Sequence, residues 1–392
     1  MAQAIVGLPI YSYDLQVETK IAIDELIYIL TPEDLPLLSG IGADGMPVLA
    51  KQAVDNTEFY WMEESVPLPR GTLGAPIADA TTGTGITFAA GDGVKFRVGD
   101  AIRIDAEVMK IVAFTAADVA TVIRGSAAVT NTNGATHAAG AEVVGLGSVV
   151  EEGAIVKANF TGRDRYSNYT QIWTASLEMS RTEQSIQKYG VPNELNKQTV
   201  NNTQITNTDM EQAALYGVKH KEVNAGGQER QTGGLDFFIT SNVNSTDPHI
   251  TVKSVEVMQQ AIFDKGGSIE FIMARPANFV ALNNTSGAER VQTVTIDDTK
   301  RGRRRATVVM TEFGEVGLVR NRWVRKKDAF TFSRDNFVQR VFQPLILEKL
   351  AKTRDTDAFF MVAEGGFEVK GEAHCGKWTA LDATAALPAG LV

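Results

Sequence analysis

The sequence predicts an α+β protein with a small all-β unit set into its first half, and three observations predict it. Residues 75–147 are short runs of Ala, Gly, Thr and Val separated by turns, with no helical period. One long helical pattern follows, from Asn193 to about Tyr216. From Leu235 onward strands and helices come in blocks rather than in strict β-α-β alternation.

Taken in order, residues 1–56 hold few apolar periods of their own and read as an arm that lies against something else. The arm contains an acidic amphipathic stretch, Val17 to Leu30, and then a Pro- and Gly-punctuated segment reaching Pro47. Thr57 to Met62 reads as a strand from its aromatic and β-branched content. Within 75–147 the strand candidates are Ile86–Ala89, Lys95–Val98, Ala101–Asp105, Glu107–Phe114, Val119–Ile123 and Ala141–Val144, with turns at Gly91-Asp92-Gly93 and Gly99-Asp100. Hinge-like flanks, Leu73–Pro76 and Gly145–Gly147, mark this unit as an insertion. Residues 150–175 read as extended chain able to pair with 57–62.

Thr182 precedes a short helix stopped at Gly190, and Asn193 caps a longer one of roughly 35 Å. The middle of that helix is almost entirely Asn, Gln and Thr, so it needs partners on several sides. A glycine-rich polar loop, 226–234, leads to a buried-strand candidate at Leu235–Thr240. Thr251 to Lys265 has a helical period, Ile269–Ala274 reads as a strand, and Pro276 opens a further helix through Leu282. Val291–Ile296, Ala306–Phe313, Glu315–Val319, Val341–Leu350 and Phe359–Lys370 complete the strands.

The chain has 392 residues, 44% hydrophobic and 22% charged, an ordinary globular composition. No apolar run is long enough to cross a bilayer, and the start of the sequence does not read as an export signal. One cysteine, Cys375, leaves no internal disulfide framework and suits a reducing cytoplasm. The charge is polarised. Residues 1–70 hold three basic side chains against eleven acidic ones, whereas residues 290–354 hold sixteen basic against seven acidic. Opposite patches of this kind can steer copies together head to tail, or can simply be solvated faces.

No catalytic signature is present: there is no phosphate-binding loop, nucleophile elbow, zinc helix or calcium loop. His137, His220, His249 and His374 fall in four separate segments, and His374-Cys375 in a strand would face opposite sides. The carboxylate pairs Asp24-Glu25, Glu63-Glu64 and Glu151-Glu152 read as solvated faces. The expectation is therefore a non-enzyme with no catalytic residue, metal site or cofactor. The strongest local feature is Lys300-Arg301-Gly302-Arg303-Arg304-Arg305, backed by Arg320, Arg322, Arg325, Lys326 and Lys327. It admits three readings: a charged hairpin tip that pairs with acidic residues of a neighbouring copy, a solvated loop, or a polyanion site.

A resemblance then emerges from the order of parts. Its residues are Arg165-Tyr166-Ser167-Asn168-Tyr169-Thr170-Gln171-Ile172, Thr182-Glu183-Gln184, Tyr189-Gly190, Asp209-Met210-Glu211 with Ala213-Ala214-Leu215, and Gly233-Gly234-Leu235 with Ile239-Thr240-Ser241-Asn242. Pro344-Leu345, Leu350-Ala351-Lys352-Thr353, Glu364 and Glu368-Val369 continue it. Within the β unit, Val98-Gly99-Asp100, Glu107, Val122-Ile123-Arg124-Gly125 and His137-Ala138-Ala139-Gly140-Ala141 add to it. Over about 57–380 the chain resembles the major capsid proteins of tailed bacteriophages, the Hong Kong 97-type fold, in the branch with a β-rich insertion ahead of the long helix. Nothing matches a self-cross-linking Lys–Asn pair.

The resemblance implies an amino-terminal arm (1–56), an extended loop (57–74 and 148–175), the inserted β domain (75–147), a peripheral domain with its spine helix (176–234), an axial domain (235–340) and closing strands (341–392). It implies a structural head protein that self-assembles into hexamers and pentamers of an icosahedral shell around double-stranded DNA, bound without sequence specificity. Its implied partners are further copies of itself and portal, scaffold and decoration proteins, with no membrane. Its implied location is the virion capsid, assembled in the bacterial host cytoplasm. Subunit-interface candidates are Phe59, Tyr60, Trp61, Tyr169, Trp173, Lys300, Arg301, Arg303, Arg304 and Arg305. The alternatives are a polyanion-binding module using Arg301–Arg305 and an enzyme of unrecognised family.

Overall fold

The computed structural model describes residues 34–40, 47–66, 68–79, 84–124, 134–149, 152, 162–186, 193–224, 227–280, 282, 291–298, 302–352, 354–382 and 384–385, with backbone alone for 291–298 and 302–306. The strands of the first half are β1 (Ala50–Ala53), β2 (Glu58–Glu63), β3 (Arg70–Thr72), β4 (Gly85–Thr87), β5 (Asp100–Ile104), β6 (Glu107–Ala116), β7 (Val119–Arg124), β8 (Glu142–Ser148), β9 (Asp164–Tyr169) and β10 (Gln171–Ser180). Helices α1 (Arg181–Ser185) and α2 (Glu194–Tyr216) follow, then the hairpin β11 (His220–Asn224) and β12 (Gly227–Gln231). The remainder comprises α3 (Leu235–Phe238), β13 (Val243–Asn244), α4 (Val252–Phe263), β14 (Phe271–Ala274), β15 (Val291–Asp298), β16 (Gly302–Thr311), β17 (Gly314–Arg320), β18 (Ala329–Phe332), β19 (Phe337–Lys349), β20 (Thr356–Val369) and β21 (Gly376–Trp378). The chain divides into two compact units, one of Met1–Trp61 with Tyr166–Val392 and one of Met62–Arg165.

The smaller unit is one sheet of order β3-β8-β5-β6-β7-β4. A bridge between Leu73 and Phe88 joins the ends of β3 and β4, and Gly74 N donates to Thr87 O at 2.9 Å, so the sheet closes on itself. Alternating residues of its strands, among them Ile86, Ile102, Ile104, Met109, Ile111, Val122 and Val143, fill the interior. The stretch expected as a strand at Lys95–Val98 is instead a 3-10 turn, Gly93–Lys95, followed by irregular chain. Asp118 holds the turn by accepting from Gly93 N at 3.0 Å, and Phe96 stacks on Phe88 with centroids 4.8 Å apart.

In the larger unit, β1-β19-β20-β10 form one sheet and β13-β21-β18-β14-β17-β16-β15 another. Strands β14 and β18 are buried along their whole length and read as continuous apolar runs. Alternation sends Phe271, Met273, Phe330 and Phe332 into a core shared with Met210, Ala214 and Leu215 of α2. It sends Ile272, Ala274 and Ala329 into a second core beneath Val255, Met258 and Ile262 of α4. The sheet thus lies between two hydrophobic layers.

Helix α2 begins where its cap predicts, with Asn193 accepting from Asn196 N at 3.2 Å. Its polar middle is satisfied internally: Thr199, Thr203, Thr206 and Thr208 each donate to the carbonyl four residues earlier, at 2.9–3.0 Å. Two expectations need correction. Leu235–Phe238 is a helical turn, because that spacing sends both Leu235 and Ile239 into the core. The polar segment before it is the hairpin β11–β12 rather than a loop.

Candidate functional site

Among the described residues, the strand Glu58–Glu63 pairs with β9 alone. Period-2 alternation sorts its side chains: Phe59 and Trp61 are buried, while Tyr60 is 48% and Met62 69% exposed. Trp61 stacks on Tyr166 at 6.2 Å and meets Phe238 edge-on at 5.7 Å. Trp173 on β10 is also buried, edge-on to Phe367 at 6.4 Å. Of the aromatic candidates, then, Phe59, Trp61 and Trp173 are covered within the protomer, and Tyr60 is the one turned outward. Tyr169 is partly buried, with the Lys219 and Lys221 ammonium groups 5.2 and 5.5 Å from its ring centroid. Burial holds the Lys219 ammonium below the usual lysine range.

Where β9 turns into β10, a polar node replaces apolar packing. Asn168 is fully buried; its Nδ2 donates to Phe367 O at 2.6 Å, Gly233 O at 3.0 Å and Thr232 Oγ1 at 3.1 Å. Its Oδ1 accepts from Gly233 N and Tyr169 N, both at 2.9 Å. Thr170 donates to Glu364 Oε1 at 2.6 Å, and the Arg230 guanidinium meets the same oxygen at 2.9 Å. One asparagine and one glutamate therefore tie the β9–β10 turn to the end of β12 and to β20. Neither was singled out as a site residue from sequence, although Asn168 and Glu364 both fall in the segments that carried the resemblance.

The basic cluster falls on the antiparallel hairpin β15–β16, but the strands run further into it than expected. Gly302 to Arg305 belong to β16, with Arg303 opposite Asp297, Arg304 opposite Ile296 and Arg305 opposite Thr295 of β15. Lys300 and Arg301 lie outside the described residues. Further along, Arg322 pairs with Asp34 at 2.8 Å, and the Arg325 guanidinium lies 4.0 Å from the Tyr216 ring centroid.

The candidate chemical residues are dispersed. Cys375 is fully buried in the core, and His374 Nε2 lies 3.1 Å from Lys265 O. His220 faces Glu222 at 3.6 Å, and His249 is buried elsewhere. In the smaller unit His137 lies between Asp105 Oδ2 at 2.8 Å and Glu107 Oε2 at 3.0 Å, while Arg124 forks onto both oxygens of Glu107 at 2.7 and 2.8 Å. That node secures a two-residue turn in which Asp105 takes a left-handed φ of 52°. No group of three or more His, Cys, Asp or Glu side chains among the described residues is placed to hold a metal ion. No helix among them is long and apolar enough to cross a membrane.

Residues 10–382 match the family model described as SU10 major capsid protein. The chain belongs to that family. It is a structural major capsid protein, which bears out the resemblance read from sequence. No curated protein matches it. Among solved structures, one from Mycobacterium phage Adephagia superposes with a TM-score of 0.52 at 9% identity, covering 97% of this chain and 100% of that one. Another, from Mycobacterium phage Bobi, gives 0.50 at 8% identity, covering 96% and 99%. At such identities the likeness is one of fold, and it runs the length of both chains.

Proposed function

We propose that this capsid protein builds the icosahedral head of a tailed double-stranded DNA phage, as hexamers and pentamers, through a Hong Kong 97-type fold. The observation that carries the reading is the match to one major capsid family over residues 10–382. On this reading 57–74 and 148–175 form the extended loop, 75–147 is the inserted domain, α2 is the spine of the peripheral domain, and 235–340 forms the axial domain. Heterologous contacts between unlike surfaces of one chain close into rings. The acidic 1–70 and basic 290–354 stretches are of opposite sign, as such contacts favour. Tyr60, at 48% exposure on a strand with a single partner strand, offers an aromatic anchor to a neighbouring copy. The arginines of β16 serve subunit contact in the same scheme. The chemistry is assembly rather than catalysis, its product is the virion shell formed in the host cytoplasm, and portal, scaffold and decoration proteins complete it.

The test is negative-stain microscopy of the purified protein, expressed alone and with the genes beside its own. Shells, tubes or rings of five and six are the expected outcome. A monodisperse monomer or dimer under every condition would overturn the proposal.

A further inference from the structure

Four glutamates are buried among the described residues: Glu107, Glu211, Glu364 and Glu368. Three of them lie against a guanidinium, Glu107 with Arg124, Glu364 with Arg230 and Glu368 with Arg340. Glu211, on the last turns of α2, is the exception. Its oxygens meet neutral donors: Leu37 N at 3.2 Å and Asn321 Nδ2 at 2.7 Å on Oε1, and Leu38 N at 3.4 Å on Oε2. A buried carboxylate without a counter-ion is costly to ionise.

The three donors come from two places that α2 thereby holds together. Leu37 and Leu38 belong to the segment 34–40, and Asn321 begins the turn after β17. The same turn grips the segment twice more, through Trp323 Nε1 to Asp34 O at 3.0 Å and Arg322 to Asp34 Oδ1 at 2.8 Å. The segment lies within the stretch 1–56 that the sequence reads as an arm, and this clamp fixes the segment on the larger unit.

We propose that Glu211 is a proton-operated latch on the root of the amino-terminal arm, holding the segment 34–40 when its carboxyl is protonated and loosening it on ionisation. The proton belongs on Oε2, which has the longest contact. The charged groups facing the site are Asp34 on the segment and Arg322 on the turn, and these two are paired with each other. From β14 comes Met273, whose sulfur contacts the Asn321 amide, and α2 itself adds the apolar Met210, Ala214 and Leu215. Burial, with a smaller contribution from the Asp34 charge, outweighs the bonds from Leu37 N, Leu38 N and Asn321, which favour the ionised form, and holds the Glu211 carboxyl at about 7, against 4.5 for a solvated glutamate. A raised carboxyl makes the closed form bind the proton more tightly, so closure is favoured at low pH and weakens as pH climbs through about 7. Between pH 6 and 8.5 those two values give about a tenfold rise in the opening equilibrium.

Hydrogen–deuterium exchange of the purified full chain, corrected for intrinsic exchange rates, reads this directly. In the wild type the amides of 34–40 should lose about tenfold in protection between pH 6 and 8.5, along a one-proton curve. In Glu211→Gln the same peptide should keep constant protection over that range. A flat wild-type profile, or an unchanged slope in Glu211→Gln, would overturn the latch. Should that variant not fold, the wild-type curve decides alone, since a loss spread evenly over α2, β14 and 34–40 is global unfolding and equally refutes it.

Discussion

Replacing Asn168 by Ala tests whether the β9–β10 turn is held by its polar node or by the aromatic packing around it. The variant removes a donor shared by three acceptors and an acceptor serving two N–H groups. Thr232 Oγ1 is not orphaned, because it still accepts from Phe367 N at 3.1 Å. Gly233 loses the side-chain partner of both its N–H and its C=O, in a buried position. Each buried group left unpaired costs about 1–3 kcal/mol, so the two Gly233 groups bring the loss to about 2–6 kcal/mol. Asn168→Asp should cost at least as much, since it keeps the acceptor side but sets a carboxylate oxygen against the carbonyls of Phe367 and Gly233. The assay is urea unfolding followed by tryptophan fluorescence. All four tryptophans, Trp61, Trp173, Trp323 and Trp378, lie in the larger unit, so the signal reports that unit alone. A loss below about 1 kcal/mol in both variants would refute the reasoning and assign the turn to Phe59, Trp61 and Tyr166 instead.

Four further outcomes follow from the same geometry. Arg124→Met strips the guanidinium from buried Glu107 and should cost the smaller unit about 3–5 kcal/mol, seen as loss of exchange protection in β5–β7 with the larger unit unchanged. Although burial alone would raise the Glu107 carboxyl, the bonds from Arg124, Ala135 N and His137 hold it at about 2; a lowered carboxyl contributes stability above 4.5 that is lost as pH falls from about 5 towards 2, so exchange in β6 should rise across that window. Gly366→Ala places a Cβ 2.8 Å from both the Phe59 ring and the Tyr169 carbonyl oxygen, and should lower the urea midpoint by the equivalent of about 1–3 kcal/mol. Tyr60→Ser should leave protomer stability within about 0.5 kcal/mol, because the ring is turned outward, yet reduce the yield of shells in microscopy; normal shells would remove Tyr60 from the interface.

What could be read in advance was local. The β unit declared itself through short runs of Ala, Gly, Thr and Val broken by turns, and α2 through Asn193 at its start; its C-cap, Gly217, comes from the structure. Gly217 is needed there because a Cβ would lie 2.3 Å from Thr232 O and 2.5 Å from Ala213 O. The misreadings were also local in origin. Leu235–Thr240 has the composition of a strand, and only the arrival of α2 and β18 beside it makes the spacing of Leu235 and Ile239 decisive. The Arg303–Arg305 run reads as a hairpin tip by charge, whereas its partner strand, Thr295 to Asp297, carries the ladder through it.

The polar nodes were beyond such reading for a different reason. Asn168 meets Phe367 across 199 positions, Thr170 meets Glu364 across 194, and Glu211 meets Leu37 across 174. Nothing near any of these residues distinguishes it from the surface polars around it, because a buried asparagine or glutamate has no sequence period of its own. Yet the contacts cluster where distant stretches must be brought into one register: the β9–β10 turn on β20, and the root of the arm on α2. Apolar packing is tolerant of small slips, since one methyl contact substitutes for another. A set of hydrogen bonds with fixed donors and acceptors is not, and a one-residue shift would leave several buried groups unpaired. A capsid subunit must present the same surfaces in the same place in every copy, or neighbours cannot meet them. On that argument the buried polar nodes are where the protomer fixes its register, and the Tyr60→Ser variant tests whether the exposed face of β2 is one of the surfaces that depend on it.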